Sequence, residues 1–291
     1  MLISIGIILF YVLVGGSLLA PGAYELLLKI NPDLSWPYSR IFDRVAMLVA
    51  AITIITYRKR FSLDSVKKLL KTHRRTFQLL VGVTLSLGIS ILILPCLVKA
   101  DLLAWNIRDS GYYFSKVPKV ILGAALTALI EEIFFRGIVF VNLKRSFSVV
   151  TAITFTSALY ATVHFIAPIK SWVYPGYSLF VGFDYLAQVF GALTDPRLLA
   201  PWLGLFLVGI VLAIAVIKTG SLYLSIGLHA GWILIVKSTL YLTQFGSAAA
   251  PDLTPFLERY FLVSQPIAWG SIILVGLLVF FVGSRISKNK S

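Results

Sequence analysis

The sequence contains little cysteine, histidine or acidic charge, and these shortages narrow the kinds of protein it can be. The single cysteine, Cys96, excludes an internal disulfide and a thiolate metal cluster. Charged residues make up only 13% of the chain, and no polar stretch is long enough for a soluble domain. The sequence also has no Gly-rich phosphate loop, internal repeat or heptad array, which argues against a P-loop enzyme, a solenoid and a coiled coil.

Long apolar runs, in contrast, are abundant. Hydrophobic residues make up 58% of the chain, and the mean hydropathy is +0.91. Runs of about 17–25 residues, the length that an α-helix needs to cross a bilayer, recur along the whole sequence. We therefore predict an all-α integral membrane protein, a bundle of about eight transmembrane helices with a polar intramembrane cavity. The predicted spans are residues 3–20, 42–57, 77–99, 117–143, 148–167, 201–217, 221–242 and 266–283.

The spans and loops predict one structural domain with three consecutive parts. Residues 1–116 hold N-terminal transmembrane helices and a basic cytoplasmic loop, and residues 117–243 form the core that carries the acid and base groups. Residues 244–291 hold the last loop, a transmembrane helix and a basic tail. The loop 168–200 is rich in aromatic residues, which favour the membrane interface, so we expect it to lie on the bilayer or cover the bundle.

Basic residues are distributed unevenly among the loops. The net charge is +14, and the segment 58–76 holds the largest group of Lys and Arg residues. Cytoplasmic loops carry an excess of these residues, so we place both termini in the cytoplasm, in keeping with a bacterial plasma membrane. Contact of 58–76 with anionic lipids explains the charge better than binding of nucleic acid. The spacing in 61–76 predicts either an amphipathic helix on the membrane surface or a solvated basic loop.

Acid and base side chains inside the predicted spans are few and lie on three helices. Of the three histidines, His73 falls in the basic loop, whereas His164 and His229 fall within spans. The glutamates within spans are Glu131 and Glu132. At about 1.5 Å of rise per residue, both histidines and the glutamates lie within the hydrocarbon core, at depths that one pocket could share. Ionisable groups at such depths are costly and mark functional sites.

The two adjacent glutamates should have different roles. Residues four apart on a helix share a face, so we predict a structural ion pair between Glu132 and Arg136. Glu131 points elsewhere and can act in the cavity as a general base that takes a proton from water. His164 and His229 could orient this water or donate to a developing oxyanion. The alternative is purely structural: the ion pair holds helices together and each histidine satisfies a hydrogen bond in the core.

Three motifs, taken in order, resemble those of the CPBP (Abi) family. They are EExxxR at 131–136, an aromatic-xxx-His helix ending at His164, and GSLYLSIGLHAGW at 220–232. This family includes the type II CAAX prenyl endopeptidases, which are glutamic intramembrane proteases. The resemblance covers roughly residues 117–240 and implies that the predicted core is catalytic. It also implies a hydrolase that cleaves a membrane-associated protein or peptide, CAAX-like or C-terminal, with or without a lipid chain.

The resemblance also implies roles for individual residues, with two departures from the family pattern. Glu131 would be the water-activating base, and His164 and His229 the catalytic histidines. Tyr160 stands where the family usually has Phe, and Ile233 where it usually has an Asn thought to hold the oxyanion. Loss of one oxyanion donor typically costs ~10²–10³ in rate rather than all activity. The side-chain hydroxyls that could replace this donor are those of Tyr160, Ser157 and Ser225.

Three other possibilities follow from the same residues. A family member that has lost activity would serve as a membrane-bound binding or immunity scaffold, and Ile233 favours it. Buried Glu and His also form proton relays in transporters, but the inverted repeats and broken helices of a proton-coupled transporter are missing from the sequence. Two His and one Glu could hold a catalytic zinc ion. Because the sequence has no HExxH motif, we expect chemistry without a metal or other cofactor.

Overall fold

The computed structural model describes residues 2–57, 63–72, 74–166, 172–249, 258 and 260–287, and within them almost all structure is helical. The prediction of an all-α protein is confirmed. The described residues form one small sheet, an antiparallel ribbon in which Leu103 pairs with Phe245. The elements in chain order are α1 (Leu2–Ile30), α2 (Tyr38–Thr56), α3 (Leu63–Leu70), α4 (Arg75–Ile91), α5 (Leu94–Lys99), β1 (Leu103–Trp105), α6 (Ser110–Glu132), a π-helix (Ile133–Phe140), α7 (Val141–Lys144), α8 (Val149–Phe165), α9 (Val181–Ala192), a 3₁₀-helix (Pro196–Leu198), α10 (Leu199–Thr219), α11 (Tyr223–Leu242), β2 (Thr243–Phe245), α12 (Phe261–Ser264) and α13 (Pro266–Ser287).

Within the described part of the chain, five helical segments are long and apolar enough to cross a membrane, fewer than the eight predicted. The other three predicted spans correspond to α2, to the continuous helix from α6 to α7, and to α8. The start of α2 is charged, the helix from α6 to α7 contains the two glutamates and Arg136, and α8 has only 17 residues. The five segments identify an integral membrane protein and are Leu9–Ile30, Arg75–Lys99, Pro196–Thr219, Tyr223–Leu242 and Pro266–Arg285.

The chain divides into two compact units. The first comprises Met1–Leu63 and Thr162–Leu198, and the second comprises Asp64–Ala161 and Leu199–Ser291. The division falls near the end of α8, so Tyr160 belongs to the second unit and His164 to the first. The predicted division at residues 116 and 243 stays a prediction.

In the first unit, aromatic side chains from α1, α2, α9 and the preceding loop pack together. Tyr38 is almost completely buried and stacks on Tyr174, whose hydroxyl donates to the Glu25 carboxylate over 3.0 Å. The sequence predicts a loop over 168–200, but residues 181–192 form α9. The buried residues Val181, Tyr185 and Val189 recur at four-residue intervals, which is a helical spacing.

In the second unit, α4 and α11 approach so closely that their backbones touch. A Cβ atom on Gly82 would lie 2.6 Å from the backbone nitrogen of Leu228. A Cβ atom on Gly227 would clash with the Leu79 carbonyl oxygen. Small residues at helix interfaces allow this close packing in membranes. His229 lies two residues after Gly227, about 200° around the helix, and so faces away from α4.

The basic segment 58–76 contains a helix, as one of its two alternatives predicts. Residues 58–62 and His73 lie outside the described residues, but α3 is helical from Leu63 to Leu70. Val66 is buried on one face, and Lys67 and Lys68 are exposed on the other. The buried face packs on the core: a Cβ atom on Gly137 of the π-helix would lie 3.3 Å from Val66.

Candidate active site

A buried ion pair between Glu132 and Arg136 forms the centre of the candidate site. Arg136 Nη1 donates to Glu132 Oε1 over 2.8 Å, and both side chains are fully shielded from solvent. The ion pair predicted from the four-residue spacing is therefore present. Arg136 also donates from Nη2 to the backbone carbonyl of Gly209 over 3.3 Å. Its guanidinium lies 4.6 Å from the ring centroid of Tyr160, a cation–π contact that joins α8 to the pair.

The pair lies where α6 changes into the π-helix, which begins at Ile133. Short π-helical segments within α-helices are rare and occur frequently at functional sites. Gly209 of α10 also requires close packing, because a Cβ atom there would lie 2.8 Å from the Ser157 side chain of α8. The small residue lets α8 and α10 approach each other near the guanidinium that binds the Gly209 carbonyl.

His229 is held in place by Glu132. The imidazole Nδ1 lies 3.0 Å from Glu132 Oε1, and the side chain is almost completely buried. An ionised carboxylate can only accept hydrogen bonds, so Nδ1 carries the hydrogen and donates it. This contact fixes the ring orientation and leaves Nε2 as the nitrogen that faces Glu131 and Tyr160. The four-residue spacing predicts only the contact of Glu132 with Arg136, so this second contact was not predicted.

Glu131 differs from Glu132 in its surroundings, as the helical geometry predicts. The Glu131 side chain is 28% exposed, whereas that of Glu132 is 0% exposed. Glu131 Oε2 lies 3.8 Å from His229 Nε2. This distance exceeds that of a direct hydrogen bond, but the two atoms are close enough to contact one small group together. An accessible carboxylate beside an oriented imidazole is suited to proton transfer.

Tyr160 places its hydroxyl group beside His229. The Tyr160 oxygen lies 3.2 Å from His229 Nε2, and the side chain is 1% exposed. The hydroxyl donates to Nε2 when the ring is neutral. Of the other two hydroxyls considered from the sequence, Ser225 Oγ donates to the Leu222 carbonyl over 2.9 Å and also contacts the Glu132 carboxylate. Ser157 packs at Gly209.

The remaining predicted site residues are His164 and Ile233. His164 is half-buried in the last turn of α8 and belongs to the first unit. Ile233 is half-buried on α11, one turn after His229 and on the same face of the helix. Within the described residues, no group of three or more His, Cys, Asp or Glu side chains is arranged to hold a metal ion.

The Gly209 carbonyl is a component of the site that was not predicted from the sequence. Every residue has a backbone carbonyl, so no residue type in the sequence marks the one that binds Arg136. The contact between His229 and Glu132 likewise joins residues 97 positions apart, and only the packing of α11 against α6 brings them together.

One comparison with known proteins finds a match. Residues 113–235 match the family model described as type II CAAX prenyl endopeptidase, Rce1-like. The matched region contains both glutamates, Arg136, both histidines and the two departures from the family pattern at 160 and 233. No curated protein and no solved structure matches the chain. Residues 113–235 of this integral membrane protein are therefore similar to the Rce1-like type II CAAX prenyl endopeptidases.

Proposed function

We propose that the protein is a membrane-embedded endopeptidase in which Glu131 activates a water molecule to hydrolyse a peptide bond. The match of residues 113–235 to the Rce1-like family supports a membrane protease of the CAAX type in general. One observation carries the specific mechanism: Glu131, the more exposed of two adjacent glutamates, faces His229 Nε2, while Glu132 binds the other ring nitrogen. The substrate we propose is a membrane-associated protein or peptide, CAAX-like or C-terminal, with or without a lipid chain.

The proposed reaction begins with proton transfer to Glu131. The carboxylate takes a proton from water, and the resulting hydroxide attacks the carbonyl carbon of the scissile peptide bond. The carbonyl oxygen becomes an oxyanion, and the Tyr160 hydroxyl rotates from His229 Nε2 to donate a hydrogen bond to it. The C–N bond then breaks, and protonated Glu131 gives its proton to the leaving amine. The products are a carboxylic acid and an amine, and Glu131 is again ionised.

Glu132, Arg136 and His229 prepare the site for this reaction. The Glu132 carboxylate is neutralised by Arg136, so it can orient His229 without an unpaired buried charge. The oriented imidazole places Nε2 beside Glu131, where it can accept a hydrogen bond from the attacking water. His164 has the catalytic role that the family resemblance implies, and His164→Ala tests that role by loss of cleavage.

Metal-independent hydrolysis is part of the proposal, and a zinc ion held by Glu131 and the two histidines is the alternative. A carboxylate base generates the nucleophile without a metal, whereas a zinc enzyme needs the ion to lower the pKa of bound water. Cleavage by purified protein after dialysis against a strong chelator should therefore continue. Loss of cleavage that zinc restores would support the metal alternative.

The location and lipid contacts are also proposals. We place the protein in a bacterial plasma membrane with both termini in the cytoplasm, in keeping with the basic segment 58–76. On α3, the exposed Lys67 and Lys68 lie opposite the buried Val66, which suits a helix bound to anionic lipid headgroups. Nucleic acid is not an expected partner.

The decisive experiment compares Glu131→Gln with wild type on a membrane-tethered reporter that carries a C-terminal CAAX-type sequence. The substitution keeps the side-chain volume and removes the proton acceptor, so we expect cleavage to fall by ~10²–10⁴. Thermal stability in detergent should stay close to wild type, because Arg136 keeps its Glu132 partner. Glu25→Gln is the matched control, since Glu25 lies in α1 and binds Tyr174. Cleavage by Glu131→Gln at the wild-type rate would contradict the proposed mechanism.

A second function, a binding scaffold without activity, is favoured by Ile233 alone. The family usually has an Asn at this position, and isoleucine has no hydrogen-bond donor for an oxyanion. A scaffold would retain a membrane partner without cleaving it. Cross-linking of the Glu131→Gln protein in membranes, followed by identification of the bound species, separates an intact partner from a trapped substrate.

A further inference from the structure

Lys237 is an ionisable residue inside a membrane-spanning segment, and the proposed reaction leaves it without a role. It lies in Tyr223–Leu242, is half-buried, and lies beyond the residues 113–235 that match the family. Its ammonium group has no hydrogen bond or ion pair within the described residues. A cation in this position is costly unless it serves a partner or a function.

The position of the Lys237 ammonium is defined by its neighbour on α6. A Cβ atom on Gly123 would lie 3.5 Å from Lys237 Nζ, so the ammonium rests against the backbone of that helix. Because Gly123 has no side chain, the ammonium fits beside the helix. Lys237 is therefore directed along the surface that α6 and α11 share.

Helices α6 and α11 run in opposite directions and contact each other at two points, which are separated by the same number of residues on each helix. At one point Glu131 faces His229, and at the other Gly123 faces Lys237. On each helix the two points are separated by about two turns, or about 12 Å. The Lys237 ammonium therefore lies roughly 12 Å along a straight strip from the carboxylate that we propose as the base.

The middle of this strip is partly exposed. Thr127 of α6 is exposed and Ile233 of α11 is half-buried, and both lie halfway between the two contact points. An extended peptide spans about 3.3–3.6 Å per residue, so about three to four residues would cover the distance. The strip offers an apolar contact in its middle and a positive charge at its far end.

Building on the function proposed above, we propose that Lys237 binds the C-terminal carboxylate of the substrate and so places the scissile bond three to four residues before the end of the chain. An ammonium–carboxylate contact is charge-assisted and gains strength where water is scarce. The carboxylate would also supply the counter-charge that Lys237 lacks within the described residues. Lys237 is thus a specificity-determining residue, and Glu131 remains the group that acts on the scissile bond.

The test uses two synthetic peptides in detergent–lipid micelles. Both carry a prenylated Cys followed by three residues, and they differ only in ending as a free acid or a carboxamide. Wild type should cleave the acid with a kcat/KM about 10- to 100-fold above that of the amide, mainly through a lower KM, the range expected for one charged hydrogen bond. Lys237→Met should abolish this preference, and Lys237→Arg should retain part of it.

Two further variants make the test specific. Gly123→Leu fills the space beside the ammonium and should weaken the preference while Lys237 itself is unchanged. Lys218→Met removes a charge from α10, where the ammonium lies over the Phe280 ring, and should leave the preference intact. An equal kcat/KM for acid and amide in wild type, or an unchanged preference in Lys237→Met, would overturn the proposal. The proposal would also be overturned if the effect of Lys237→Met on kcat/KM depended only on the anionic lipid content of the micelles. The ammonium would then bind a lipid headgroup.

A binding measurement separates this proposal from the proposed protease activity. The Glu131→Gln protein should bind the acid peptide about 10-fold or more tightly than the amide, and the additional change Lys237→Met should remove the difference. If this binding preference is found but wild type cleaves neither peptide, the carboxylate site stands and the endopeptidase function is wrong. If wild type cleaves both peptides equally, the endopeptidase stands and the role of Lys237 is wrong.

Discussion

His229 Nδ1 lies 3.0 Å from Glu132 Oε1, the same carboxylate oxygen that accepts from Arg136 Nη1 over 2.8 Å. One oxygen atom therefore joins the buried ion pair to the histidine of the candidate site. This arrangement gives Glu132 two roles that mutations can separate: it neutralises Arg136, and it orients the imidazole. In metalloenzymes, replacing a carboxylate that orients a histidine in this way typically costs ~10–100-fold in activity or metal affinity.

Single and double substitutions at 132 and 136 should affect stability and activity differently. Glu132→Ala or Arg136→Ala strands a buried charge, which typically costs ~3–5 kcal/mol, so both variants should melt earlier in detergent. The double variant Glu132→Leu with Arg136→Met removes both charges and should recover much of the stability. Its cleavage activity should stay low, because His229 has lost the acceptor for Nδ1.

The measurements for this pair are thermal unfolding in detergent and cleavage of the membrane-tethered reporter. Glu132→Gln with Arg136→Met serves as the control, because the amide oxygen of Gln can still accept from His229. Recovery of both stability and full activity in the Leu–Met variant would show that Glu132 acts only as a partner of Arg136.

Local geometry explains which parts of the site the sequence could predict. The pairing of Glu132 with Arg136 and the different exposure of Glu131 follow from positions along one helix. Contacts between distant helices do not follow from such spacing. Arg136 binds the backbone carbonyl of Gly209 and Glu132 binds His229 because α6, α10 and α11 pack in one particular way.

The same limit applies to the fold. Apolar runs predicted the helical membrane protein, and five of the eight predicted spans correspond to described helices that are long and apolar enough to cross a membrane. The aromatic segment 168–200 was interpreted as a loop on the bilayer or over the bundle, because aromatic residues favour the membrane interface. The four-residue spacing of Val181, Tyr185 and Val189 is a local signal that could have predicted α9.

The close contact between α4 and α11 gives a prediction about stability. Gly227→Ala places a methyl group against the Leu79 carbonyl oxygen, a backbone atom that cannot move independently. Overpacking of this kind typically costs ~1–3 kcal/mol, so the variant should melt earlier. It should also lose activity, because α11 carries His229. Gly88→Ala in α4 is the matched control, since a Cβ atom there meets nothing within 4 Å. Equal melting temperatures for the two variants would show that the helix contact tolerates a methyl group.

Tyr160 and Ile233 give a prediction that links the two departures from the family pattern. If the Tyr160 hydroxyl replaces the donor that the family usually places at 233, Tyr160→Phe should lower cleavage by ~10²–10³. The ring contacts with Arg136 and Phe135 do not need the hydroxyl, so the loss of stability should be limited to about 1 kcal/mol. Tyr38→Phe is the control for loss of a buried hydroxyl, because the Tyr38 oxygen has no hydrogen-bond partner among the described residues.

Restoring the family residue should compensate for that loss. Ile233 lies one turn after His229 on the same helical face, so Asn at this position can direct its amide toward the candidate site. Ile233→Asn alone should preserve or raise cleavage, and Tyr160→Phe combined with Ile233→Asn should cleave faster than Tyr160→Phe. The measurement is kcat/KM on one reporter for wild type, both single variants and the double variant. Because residues that share one role give non-additive effects, the gain from Asn should be larger in the Tyr160→Phe background than in wild type. Equal gains in the two backgrounds would mean that the Tyr160 hydroxyl does not substitute for the missing Asn.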